Sequence, residues 1–352
     1  MSQLDLFAHT DIANEPSTPP TAEPLPPRLL ADLPPAPAPV TISTHPRPML
    51  ATAKPALGHY RPAQRNPHET AFTIAEAVSY AWHHAQGGDR IDIPLGVVAS
   101  LALWPLRGPD AYLAADWWLS LDDAQLLTAF RECWARWWIM RPDLIDRAIP
   151  LHKWLEDEEP PRRRAAAVRA VVKAALTRGL LHLTSSDDAY HRSTADLLGA
   201  VLVVMRPNAA QDALAEIHTP PELAELMAHM VLDDLKPGMT FDEPAGGTGG
   251  MYRAAAQVMR EKSLNPHDFG WSLADIDPLA AAGAACNAIL WDLGPNVLIA
   301  CGDTLREGNL PRKAAREWRE AHGRRDRLWR EARMLAVLER TDLLVREIRA
   351  KS

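Results

Sequence analysis

The stretch from Phe241 to Tyr252, FDEPAGGTGGMY, restricts the fold more than any other part of the chain. A short strand pattern, MTFDE, turns through glycines and runs into the helix-forming MYRAAAQVMREK. Gly247, Gly249 and Gly250 remove the Cβ atoms that would keep a ligand away from the backbone, and they allow φ above zero. The helix that follows presents free N–H groups at its start. The alternation continues with a strand at FGWSLA and a helix at LAAAGAACNAILWDL, opened by Asp277-Pro278 and stopped by Gly294. A third strand is expected at NVLIAC. Ahead of the loop, HTPPELAELMAHMVLDDLKPG predicts a helix with Thr219 at N-cap, Pro220 at N1 and Glu222 at N3 in a capping box, ended by Lys236-Pro237-Gly238. Such repetition implies parallel strands joined by right-handed crossovers.

The loop chemistry narrows the ligand. A dinucleotide fingerprint needs a third glycine where Tyr252 stands, and a phosphate-binding P-loop needs a Lys-Ser/Thr that does not follow. Instead Asp242 and Glu243 sit just ahead of the glycines, where they repel phosphate but accept hydrogen bonds from a cationic amino acid group. That combination fits S-adenosylmethionine, which carries an ammonium and a sulfonium. Asp275 ends the second strand, where a carboxylate can accept both ribose hydroxyls. Asp303 follows the third, within reach of an adenine amino group, and Asp277 is read as a helix cap.

The rest of the chain frames this core. Its 352 residues suffice for two domains. Residues 16 to 67 hold fifteen of the thirty-one prolines, so residues 1–69 are expected to form a disordered, partly polyproline tail. Residues 70–206 carry helical apolar spacing and eight tryptophans, expected mainly to fill a helical core. From Arg312 on, thirteen Lys/Arg face seven Asp/Glu, which reads as a basic helical segment, 311–352. It is a solvated helix with ion pairs, a DNA-phosphate contact or a partner-docking helix. A net charge of −7 excludes a global nucleic-acid signature, so any basic surface is local. Cys133, Cys286 and Cys301 lie far apart, which suggests neither a disulfide framework nor a zinc site and points to reduced cytoplasm. No apolar run reaches the roughly 18 to 20 residues of a membrane span. The N-terminal MSQLDLFAHT lacks the basic region of a signal peptide. Within it, Gln3-Leu4-Asp5-Leu6-Phe7 resembles the pentapeptide by which bacterial DNA-metabolism proteins bind the sliding clamp.

Residues from about 217 to 305 resemble the N6-adenine DNA methyltransferases, especially the modification subunits of type I restriction systems. The resemblance rests on HTPPELAELM, on EPAGGTGG with Glu243 in place of the family's Asp, on the acidic Asp275 and on GDTL from Gly302 to Leu305. It implies a partial α/β, Rossmann-like methyltransferase domain over 207–310, preceded by an all-helical domain. It also implies cofactor contacts at Thr219, Glu243, Pro244, Ala245, Gly247, Thr248, Gly249, Gly250, Asp275, Ile276 and Asp303, with DNA and a specificity or catalytic subunit as partners. The family's catalytic element, Asn-Pro-Pro-Phe/Tyr, has no counterpart. There the Asn side chain and a proline carbonyl accept the hydrogens of the adenine amine, and the aromatic residue stacks on the flipped base. The nearest approach is Asn309-Leu310-Pro311-Arg312, read as a loop leading into a helix. Three readings stay open: a methyltransferase whose base pocket a partner chain or an unusual local element completes, a non-catalytic S-adenosylmethionine-binding or interaction protein, and a DNA-metabolism adaptor recruited to the clamp.

Overall fold

The computed structural model describes residues 60–86, 89–157, 161–206 and 219–351. They belong to one packed unit. The proline-rich tail through residue 59, with Gln3–Phe7, lies outside the described residues.

The helical region opens with α1 (Pro67–Ala85), where the Asn66 side chain accepts from the His68 N–H at 2.8 Å and Pro67 occupies the first turn. Its buried stripe of Ile74, Ala75, Val78 and Trp82 follows the helical period. Next come α2 (Asp92–Ala102), α3 (Asp123–Met140), α4 (Pro142–Arg147), α5 (Arg162–Thr177) and α6 (Leu197–Met205), with further short helices and turns between them. A capping box of Asp122 and Gln125 starts α3. Both α5 and α6 pack against α1. Trp82, Trp118, Trp134 and Trp154 are buried. The Trp134 indole donates to Ser100 Oγ at 2.8 Å and that of Trp137 to the Leu103 carbonyl at 2.7 Å. These four tryptophans are core, each removing about 4 to 6 kcal/mol worth of apolar surface from water before entropy costs, whereas Trp104, Trp117, Trp137 and Trp138 are half-buried.

The sheet region begins with α7 (Pro221–Val231), one residue later than the sequence suggests. Pro220 takes the N-cap position, no side chain caps the helix, and Thr219 is exposed ahead of it. The cause is the Pro-Pro pair: the ring of Pro221 holds Pro220 extended, at ψ 137°, so helix starts only at the second proline. The helix also ends at Val231, before Lys236, because the chain turns to bury Leu232, whose carbonyl accepts from Lys262 Nζ.

Strands β1 (Thr240–Glu243), β2 (Gly270–Asp275) and β3 (Val297–Cys301) form a parallel sheet in the order β1-β2-β3. Phe241 registers with Trp271, and Trp271 with Val297. The crossovers are α8 (Gly250–Glu261) and α9 (Pro278–Leu290). Asp277 caps α9 as expected, accepting from the N–H groups of Leu279 and Ala280 at 3.1 and 2.7 Å, and it also pairs with Arg206. Gly294 ends that segment at φ +96°, where a Cβ would stand 2.6 Å from His267 Cα. The helical region packs directly on α9 through α2, α4 and α6. Last, α10 (Leu310–Lys351) runs unbroken for 42 residues, about 63 Å at 1.5 Å per residue. Its first turns bury Leu310 and Ala314 against Ala274 and Ala300 of the sheet. From Asp326 to Leu344 its side chains are exposed. No helix of the described residues is long and apolar enough to cross a membrane.

Candidate cofactor-binding site

The loop after β1 is held by its own backbone and by two neighbours. The Gly246 N–H donates to the Ala274 carbonyl at 3.0 Å, and the Gly249 N–H to that of Gly246 at 2.8 Å. Gly247 and Gly249 adopt φ of +56° and +93°, which explains glycine at both. Gly250 opens α8 without a positive φ. A Cβ on Gly247 or Gly250 would meet nothing within 4 Å, so the loop presents bare backbone to open space there. Gly246, which the loop pattern did not single out, has a different reason: a Cβ would stand 2.5 Å from Leu273. Pro244 and Ala245 are exposed on the loop.

Thr248 faces the other way. It is buried, and its hydroxyl donates to Asp196 Oδ2 at 2.5 Å. Asn287 Nδ2 bridges Asp196 Oδ1 and the Thr248 carbonyl at 2.8 and 2.9 Å, and the Gly199 N–H donates to Asp196 Oδ1 at 2.8 Å. Asp196 therefore caps α6 and pegs the loop to the helical region at once. Burial raises its pKa above the usual aspartate value, against the pull of these donors. Sequence reading missed Asp196, although Asp-Leu-Leu-Gly ahead of an apolar run is a recognisable N-cap signal. It also missed Arg253, a fully buried guanidinium on α8 that donates to Glu225 of α7 at 2.8 Å and to the Ser193 and Thr194 carbonyls.

The acidic groups divide into engaged and free. Asp275 accepts from the N–H groups of Gly247 at 2.7 Å and Asp277 at 2.8 Å. Asp303 sits in a turn, accepting from the Leu305 N–H at 2.9 Å while its own N–H donates to Glu307. Ile276, directly after β2, and Leu305, in the turn beyond β3, are exposed apolar surface. Glu243 is buried, and its Oε2 has no hydrogen-bond donor. Burial first, then the carboxylates of Asp242 and Asp275, push its pKa up to about 7. A buried carboxylate oxygen lacking a donor, beside an open glycine backbone, suits the ammonium of an amino acid ligand.

A pH dependence follows. The folded value of about 7 exceeds the ordinary 4.5, so Glu243 contributes stability below about 4.5 that is lost as pH rises through 7. A cation beside it favours the ionised form, so cation binding releases a proton. Affinity for an ammonium ligand is expected to climb toward pH 7, by at most about tenfold per pH unit, and then level off. Calorimetry across that range should show the slope, and Glu243→Gln should flatten it; equal slopes would remove Glu243 from the site.

Asn309 is occupied structurally. Its side chain accepts from the Arg312 N–H at 3.0 Å and starts α10, as the turn reading expects. A cavity of about 260 Å³ lies at the opposite edge of the sheet, between α4, β3 and α10, where Arg147–Glu317 and Arg324–Asp146 pairs satisfy one another. Among the described residues, no group of three or more His, Cys, Asp or Glu is placed to hold a metal ion.

The family model described as N-6 DNA Methylase matches residues 193–318, a segment that takes in α6 and Asp196 as well as the sheet. Among solved structures, the chain is similar to the methyltransferase subunit of the type I restriction-modification system from Streptococcus thermophilus, at 16% identity and a TM-score of 0.35. The alignment covers 69% of this chain and 59% of that subunit. No curated protein matches the chain at a significant level.

Proposed function

We propose that this chain, whose residues 193–318 belong to the N-6 DNA methylase family, holds S-adenosylmethionine for N6-adenine methylation of DNA. The observation that carries the reading is the orphaned Glu243 carboxylate beside the glycine loop. Glu243 takes the cofactor's ammonium, and the Gly247–Gly250 backbone lies against its amino acid part. Asp275 takes the ribose hydroxyls, Ile276 offers an apolar face to the adenine, and Asp303 meets the adenine amine. Thr248 acts through position, since its hydroxyl is committed to Asp196. When bound, the cofactor supplies a methyl group activated on a sulfonium. This chain's residues bind and orient it. Titration of the purified chain with S-adenosylmethionine tests the reading directly, and absence of binding heat would end it.

The same reading limits what the chain does alone. The exocyclic amine of adenine is a weak nucleophile that needs two acceptors for its hydrogens, and Asn309 is spent as a helix cap. The isolated chain is expected to leave no N6-methyladenine above trace in mixed DNA incubated with labelled cofactor. Methylation at a clear rate would mean that acceptors exist elsewhere in the fold.

We further propose that Gln3–Phe7 recruits the chain to the bacterial sliding clamp, consistent with the adaptor reading. Leu6 and Phe7 are adjacent apolar anchors, worth roughly 1.5 to 3 kcal/mol each before ordering costs. A peptide from Met1 to Asp11 should bind the host clamp saturably in fluorescence anisotropy, and Leu6→Ala with Phe7→Ala should abolish binding. A wild-type peptide that fails to saturate would leave the tail without this role.

A further inference from the structure

The arginines of α10 are not spread evenly round the helix. At about 100° per residue, Leu310, Ala314 and Ala321 share one face, and all three are buried. Arg312, Arg316, Arg319, Arg327, Arg330 and Arg333 lie on the opposite face, within about 60° of its midline, and all six are exposed. Burial of the apolar face against the sheet therefore turns the arginine row outward. From 312 to 333 that face otherwise holds Ala315, Gly323 and Asp326. Asp326 is already paired with Arg325 at 2.7 Å. Arg316 reaches Glu320 only at 3.9 Å, and among the described residues no carboxylate forms an ion pair with the other five. A solvated helix is ordinarily steadied by an acid three or four residues from each base. Here like charges stand side by side instead, in a chain whose net charge is −7. A polyanion relieves that repulsion.

The row is divided into two triplets. At 1.5 Å per residue, each triplet spans about 9 to 11 Å, and Arg319 and Arg327 stand about 12 Å apart along the axis. Gly323 sits at the middle of that gap. A Cβ there would meet nothing within 4 Å, so packing does not account for a glycine inside a helix, where it is unfavourable. The major groove of B-form DNA is also about 12 Å wide, with a phosphate backbone along each wall.

We propose that α10 lies across the major groove of a B-form DNA duplex, with one arginine triplet on each backbone and the bare helix at Gly323 over the groove. The contact grips phosphate without reading sequence, because Gly323 offers no side chain to the base edges. It goes beyond the cofactor reading and does not depend on it. Charge and shape select the occupant. An RNA duplex fits poorly, since the major groove of the A form is deep and narrow. A single strand would want aromatic platforms among the cations, and Trp318 and Trp329 lie more than about 90° round the helix from the row. An acidic protein surface would want an apolar centre to the patch, where this face has only Ala315 between its arginines.

The test is fluorescence anisotropy of the full chain, without cofactor, on labelled DNA duplexes of two unrelated sequences at a series of salt concentrations. Both duplexes should bind alike, and the logarithm of affinity should fall with the logarithm of salt at a slope of about −5, as six phosphate contacts require. Replacing either triplet by glutamine, at 312, 316 and 319 or at 327, 330 and 333, should bring the slope to about −3 and weaken binding by about tenfold or more at 0.1 M salt. The sites are exposed, so the thermal midpoint of each variant should stay at the wild-type value. Arg162→Gln, Lys173→Gln and Arg178→Gln together remove the same charge from exposed positions on and just after α5, and should leave the slope unchanged. No duplex binding, a slope that neither triplet alters, an equal loss in the α5 variant, or tighter binding of an RNA duplex or a single strand would each overturn the proposal. Because no cofactor is present, none of these results bears on S-adenosylmethionine binding, which calorimetry measures separately.

Discussion

Gly247→Val is expected to abolish S-adenosylmethionine binding by an otherwise folded chain. At φ +56° a β-branched side chain is strained by about 1 to 3 kcal/mol. Its branches would also fill the open space into which the bare loop faces. Backbone adjustment to relieve that strain would pull the Gly247 N–H from Asp275, which accepts it at 2.7 Å. Together these should weaken binding by about a hundredfold or more, past the range of a routine calorimetric titration. Gly250→Ala is the matched control. Gly250 has no positive φ, so alanine there adds one methyl group on the open side of the loop without backbone strain and should weaken binding less than valine at 247 does. If the valine variant bound as tightly as wild type, the loop would not be the surface that meets the cofactor.

The second large effect is one of stability. Asp196→Ala removes the acceptor shared by the Thr248 hydroxyl, the Gly199 N–H and the Asn287 amide. Each buried donor left without a partner costs about 1 to 3 kcal/mol, partly recovered by water entering the vacated space. Loss of the α6 cap adds about 1 kcal/mol. A total of about 2 to 4 kcal/mol should lower the thermal midpoint by roughly 5 to 15 °C. Cofactor affinity should fall as well, because Thr248 no longer holds the loop. Asp196→Asn keeps the shape but points a donor at neighbouring donors, so it should fall between alanine and wild type. An Asp196→Ala midpoint within about 1 °C of wild type would show that the network carries little energy.

What the sequence determined by itself is local. Three strands, two crossover helices, the Asp277 cap, the Gly294 stop and the role of Asn309 were legible because each depends on residues within one turn or one strand of itself. The backbone freedom of glycine at 247 and 249 was legible for the same reason. The start of α7 went wrong where two local rules compete: the cap preference of Thr219 against the extended bias that Pro221 imposes on Pro220. Its end went wrong because burial of Leu232 is a tertiary matter. Tertiary structure alone decided that Thr248 turns away from the ligand side, since its partner Asp196 is 52 residues distant in sequence. It likewise decided that Arg253 is buried between α7 and the helical region, and that Glu243 keeps an oxygen without a donor. The edge position of β1 was also invisible in the residues of β1, because strand order is set by which crossovers pack on which face. A side chain's type limits what it can bond, but which groups lie within 3 Å of it depends on the whole fold.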